Sequence, residues 1–160
     1  MFSNDRQSYR SAFVTAWRKA AEGQPLDPTE AQIVAVARNH PEYHALLEAG
    51  DDALDRDFLP EHGETNPFLH MGLHMAVLDQ LSTDQPRGIR TRYQTLVARL
   101  GDTHAAEHRI MECLAQTMWR LQREPGATFD ETVYLDCIGR SPKPGKSRKS
   151  RKSRKSRKSR

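Results

Sequence analysis

Proline and glycine divide this chain into short segments, and each segment between them spaces its apolar residues as a helix does. Asp27-Pro28-Thr29-Glu30 places a capping acid, a proline at the first helical position and a second acid in the first turn. Asn66-Pro67 repeats the cap-then-proline signal, and Gln85-Pro86 offers a third start. Gly23-Gln24-Pro25, Gly50, Gly101 and Glu124-Pro125-Gly126 act as stops. Strand alternation is absent, so the pattern points to a compact all-α bundle of about five to seven helices with mostly short connections.

The first helix is expected to run from caps at Ser3 and Asn4 to about Ala21, with Tyr9, Phe13, Ala16, Trp17 and Ala20 on its apolar side. The second carries Ile33, Val34, Val36 and Ala37 and is interrupted at Pro41. A short third helix holds Tyr43, Leu46 and Leu47 and ends near Gly50, and residues 51–65 read as an acidic loop. The fourth helix spans Asn66-Pro67 to about Leu81. The fifth begins at Gln85-Pro86 and presents Ile89, Tyr93, Leu96, Val97 and Leu100. Asp102 caps a long sixth helix that reaches about Arg123, and Asp130 caps a last short one with Val133, Tyr134, Cys137 and Ile138.

Composition changes sharply after residue 140. Residues 146–160 are five copies of Lys-Ser-Arg. Residues 143–160 hold 11 of the 25 lysines and arginines and no acid, which leaves 14 basic against 21 acidic residues before them, a formal charge of −7. The sequence pI of about 9.3 therefore describes the tail and not the rest. The organisation expected is one helical domain over residues 1–140 and a disordered basic tail over 141–160, because the tail has no apolar residue to bury. Lys146, Arg148, Lys149, Arg151, Lys152, Arg154, Lys155, Arg157, Lys158 and Arg160 could hold phosphate backbones nonspecifically, on nucleic acid or ribosomes, with steep salt dependence. No aromatic residue interrupts the repeat to stack on bases. Contact with the chain's own acidic part and a purely solubilising repeat are the other readings.

The first ten residues are polar and lack the apolar stretch of a signal peptide, and no apolar run approaches the ~20 residues of a membrane span. Cys113 and Cys137 are too few and too isolated to frame a disulfide scaffold or a zinc knuckle, so the expectation is two reduced thiols in a cytoplasmic protein. No nucleophile elbow, phosphate-binding glycine loop or dinucleotide fingerprint occurs.

The residues that suggest chemistry are histidines. Six of the seven fall in pairs four apart: His40/His44, His70/His74 and His104/His108. Four residues apart on a helix is one face, and two imidazoles so placed can grip one metal ion. His70 and His74 share a face with Val77, Leu78 and Leu81, and His104 and His108 with Met111, Ala115, Met118 and Trp119, so both pairs are expected to look inward. Those four histidines are the candidate ligands for zinc, iron or manganese, with Glu64, Glu112 and His44 as additional candidates. Pro41 lies between His40 and His44, which makes theirs the weakest pair. The competing reading is that the histidines are structural, bonded to acids and backbone carbonyls, or form a cluster titrating near neutral pH.

Four stretches, His40-Pro-Glu-Tyr-His44-Ala-Leu-Leu, Glu64-Thr-Asn-Pro-Phe-Leu-His70-Met, Asp84-Gln-Pro-Arg-Gly-Ile89 and His108-Arg-Ile-Met-Glu-Cys113-Leu, resemble a bacterial family known as domain of unknown function 1841. The resemblance covers roughly residues 1–139 and not the tail. It implies a bacterial cytoplasmic protein and brings with it no activity and no catalytic residue. Two functions are therefore expected: a helical protein holding one or two metal ions between its fourth and sixth helices, or a non-enzymatic interaction protein whose tail binds nucleic acid.

Overall fold

A computed structural model describes residues 2–58 and 65–140. These residues form seven α-helices and no strand: α1 (Phe2–Ala21), α2 (Pro28–Arg38), α3 (His44–Glu48), α4 (Pro67–Thr83), α5 (Ile89–Leu100), α6 (Thr103–Arg123) and α7 (Glu131–Gly139). Two short 3-10 turns, Pro41–Tyr43 and Gly50–Ala53, flank α3. The chain divides into two compact units, Met1–Ala76 and Val77–Arg160. Among the described residues no helix is long and apolar enough to cross a membrane. The basic repeat expected to be disordered lies outside the described residues.

Local capping explains where most helices begin. At α2 the Asp27 carboxylate accepts from Glu30 N at 2.7 Å while Glu30 Oε1 accepts from Asp27 N at 3.0 Å, a full capping box. Asn66 Oδ1 accepts from Phe68 N at 3.0 Å and from Leu69 N at 3.2 Å, which starts α4. Asp102 and Asp130 do the same for α6 and α7. Three expectations shift. α1 is already helical at Phe2, so Ser3 and Asn4 lie within its first turn and not ahead of it. The acidic loop is structured at its start, where Gly50, at φ +66°, leads into the 3-10 turn. α5 starts at Ile89, three residues after Pro86, because a turn intervenes. Asp84 (φ +53°) and Gly88 (φ +96°) both adopt left-handed backbone, the Gln85–Pro86 bond is cis, and Asp84 Oδ1 accepts from Gly88 N and Arg90 N.

In the first unit the buried apolar residues include Phe13, Val14 and Ala16 of α1, Ile33, Val34, Val36 and Ala37 of α2, Leu47 of α3, and Phe68 and Met71 of α4. Arg10 is buried among them at 4% exposure. Its guanidinium donates to the carbonyls of Arg56 at 2.6 Å, Leu54 at 3.1 Å and Ala53 at 3.4 Å, and lies over the rings of Phe58 and Phe68. One cation thereby ties the segment after α3 to α1. Gly72 leaves room for a close approach, since a Cβ there would meet the Tyr9 hydroxyl and make that side chain shift.

In the second unit Ile89 and Leu96 of α5, Ala106, Ile110, Cys113 and Leu114 of α6, and Tyr134 and Ile138 of α7 are buried. The Tyr134 hydroxyl donates to Gln80 Oε1 at 2.6 Å. One expectation fails here and another holds only in part. Cys113 and Cys137 are not separate thiols: they form a disulfide between α6 and α7, with Cα atoms 5.7 Å apart. The packing of α7 on α6 brings together two residues 24 apart in sequence, and nothing local to either residue announces it. The histidine-bearing stripe of α6 is buried only in its first part, because Met111 is 4% exposed while Met118 is 38% and Trp119 56% exposed. At 3.6 residues per turn the buried side runs through Ala106, Ile110, Met111, Cys113, Leu114 and Thr117, and the stripe expected to be buried meets it only at Met111.

Candidate metal centre

The first unit gathers histidines from two elements. α2 ends at Arg38 because Pro41 lacks the amide that would continue it. His40 is left with φ −126° and ψ 70°, outside helical geometry, and this turns its ring into the unit, where it is 1% exposed. The proline that weakened the His40/His44 spacing is thus what buries His40. α4 supplies His70 and His74 one turn apart, and His74 is also 1% exposed.

The His40 ring is held on every side. Its Nδ1 lies 3.0 Å from Glu42 Oε1, its plane stacks on Tyr43, and its edge meets His70 at a centroid distance of 4.7 Å. Its Nε2 lies 3.1 Å from His74 Nδ1. Burial pushes the Glu42 carboxyl up, but its own backbone amide and the bond from His40 outweigh this and hold it below its ordinary value. Burial and the Glu42 charge push the Tyr43 phenol up. An ionised Glu42 keeps the proton on His40 Nδ1, so a neutral His40 presents the Nε2 lone pair to His74.

That 3.1 Å separation admits two chemistries. His74 Nδ1–H can donate to His40 Nε2, an ordinary buried bond. Alternatively both nitrogens can face one ion. With bonds near 2.1 Å and an angle of roughly 95–110°, two imidazole nitrogens on one metal stand about 3.1–3.4 Å apart. The carboxylate behind His40 is the arrangement that orients metal-binding imidazoles.

His44 turns elsewhere. Its Nε2 donates to the Ala37 carbonyl at 2.8 Å, and its ring lies against Trp17 at 4.4 Å. In the second unit the His104 and His108 rings are 4.0 Å apart, both half-buried, and a Glu107 oxygen comes within 4.8 Å of a His104 nitrogen. Glu112 is exposed and paired with Arg109. Glu64 and the tail residues Lys146 to Arg160 lie outside the described residues. Sequence spacing pointed to pairs along single helices. His40 with Glu42 is the contribution it missed, and its one visible signal was a histidine set directly before a proline at a helix end.

No curated protein and no solved structure matches the chain. The family described as "Domain of unknown function (DUF1841)" matches residues 5–140, the four histidine-bearing and capping stretches that suggested it among them, and the chain belongs to that family.

Proposed function

We propose that this protein binds a divalent transition-metal ion through His40 Nε2 and His74 Nδ1, with Glu42 orienting His40. The observation that carries the reading is the buried 3.1 Å approach of two imidazole nitrogens, one of them backed by a carboxylate. Imidazole with carboxylate support suits zinc, iron or manganese. His104 and His108, with Glu107 beside His104, are further candidate ligands in the second unit. Binding is proposed, not catalysis.

Elemental analysis of untagged protein, followed by calorimetric titration with zinc, iron(II) and manganese, tests it. At least one equivalent is expected. His74→Ala removes it, and Glu42→Gln weakens binding by about tenfold or more, the usual effect of losing a carboxylate behind an imidazole ligand. His104→Ala with His108→Ala lowers the uptake or the affinity only if those side chains also contribute to binding. Uptake well below one equivalent for all three ions means that His40 and His74 share only a hydrogen bond.

A second reading rests on the five Lys-Ser-Arg copies: the tail binds nucleic acid nonspecifically. Deleting residues 143–160 then abolishes retention on DNA or RNA at low salt. Unchanged retention rules it out.

A further inference from the structure

The Cys113–Cys137 disulfide is lopsided. Cys113 is fully buried, while Cys137 is half-exposed and lines a cavity of about 200 Å³ on the second unit. Arg109, Arg120 and Arg140 line the same cavity with Gln116, and no acid stands among its lining residues. Arg109 also pairs with Glu112, which leaves Arg120 and Arg140 as the stronger contributors of field. A sulfur of a disulfide is attacked by a thiolate, and the rate depends on access to that sulfur and on the local concentration of the attacking anion. Three guanidiniums around an accessible sulfur raise that concentration for thiols carrying a further negative charge.

We propose that Cys137 is the entry point for thiol–disulfide exchange with a small anionic thiol, one that bears a carboxylate or sulfonate. The thiolate attacks Cys137 Sγ. A bond forms between the two sulfurs, the Cys113–Cys137 bond breaks, and its electron pair leaves on Cys113 Sγ, which takes a proton from water. A second thiolate attacks the sulfur of the small thiol in the mixed disulfide and releases Cys137 as thiolate. Two small thiols are oxidised to their disulfide, and the protein disulfide is reduced by two electrons. The burial of Cys113 makes it the leaving sulfur and not the attacked one.

The test uses the oxidised full chain and three thiols at matched thiolate concentration: 2-mercaptoethanesulfonate, 2-mercaptoethanol and cysteamine. Reduction is followed by quenching with an alkylating agent and weighing the protein, and the mixed disulfide is located by peptide mapping. At low salt the sulfonate is expected to react about tenfold faster than the neutral thiol and faster still than the cationic one. The advantage shrinks several-fold at high salt, where charges are screened. The mixed disulfide maps to Cys137. In the double variant Arg120→Gln, Arg140→Gln, whose two sites are exposed, the three rates converge while circular dichroism stays that of the parent. Equal rates for the three thiols, a mixed disulfide on Cys113, a double variant that keeps the sulfonate preference, or a protein that cannot be brought to the oxidised form overturns the proposal.

Discussion

Arg10 offers the most informative test of how the first unit is held. Replacing it with Met keeps most of the length and the apolar stem but removes the cation. Leu54 O at 3.1 Å and Ala53 O at 3.4 Å then lose the Arg10 donor, and Arg56 O, at 2.6 Å from Arg10, keeps only the bond from Arg6 at 2.7 Å. A hydrogen bond to a charged group contributes about 1.5–3 kcal/mol, but the 3.4 Å bond is weak and an exposed Arg56 can turn to water. Counting one strong bond and part of another gives about 3 kcal/mol, and the rings of Phe58 and Phe68 add about 1 more. Against this stands the cost of burying a guanidinium, whose pKa burial pulls down. A net loss of about 2–3 kcal/mol is expected. Native-state hydrogen exchange of α1 amides reads it directly, since those amides report the first unit. Arg10→Lys should recover less than half, because one ammonium cannot reach three carbonyls along a planar fork. Because Arg10 is buried, the loss should barely change with salt. If Arg10→Met protects α1 as well as the parent does, burial cancels the bonds and the clamp contributes no stability.

Other outcomes follow from single contacts. Gly72→Ala sets a Cβ against the Tyr9 hydroxyl and should cost about 1 kcal/mol, and the double variant with Tyr9→Phe should recover most of the lost Tm. Failure of that rescue removes the clash as the cause. Reducing the disulfide reopens a loop with a sequence separation of 24, worth up to about 3.5 kcal/mol by chain entropy, so urea midpoints of oxidised and reduced protein should separate clearly. Coincident midpoints would show that the bridge does not restrict the unfolded chain. Burial pushes the Tyr134 phenol well up, and burial also raises Tyr9 and Tyr93. A phenol raised in the folded state stabilises the fold fully below its unfolded value near pH 10 and loses that contribution as pH rises through the folded one. Ultraviolet titration should therefore show tyrosinate forming later in the folded chain than in urea. Identical curves contradict the burial of Tyr134.

What depends on near neighbours in the chain could be read from the residues alone. Helix starts at Asp27, Asn66, Asp102 and Asp130 were legible because a cap is a bond between residues two or three apart. The all-helical class followed from apolar spacing for the same reason. The turn at Asp84 was not legible, since its geometry rests on a left-handed aspartate that no residue pattern demands. Histidine spacing pointed to His74, one of the two imidazoles that approach each other in the first unit. Only tertiary structure brought His40 against it, across 34 residues, and bound Cys113 to Cys137 across 24. It also settled which side of α6 is buried, because a helix offers several plausible faces and the choice belongs to its neighbours. Bonds that close over a few residues are present in any short stretch of the chain. Those that decide this protein's candidate chemistry exist only once separate helices have packed.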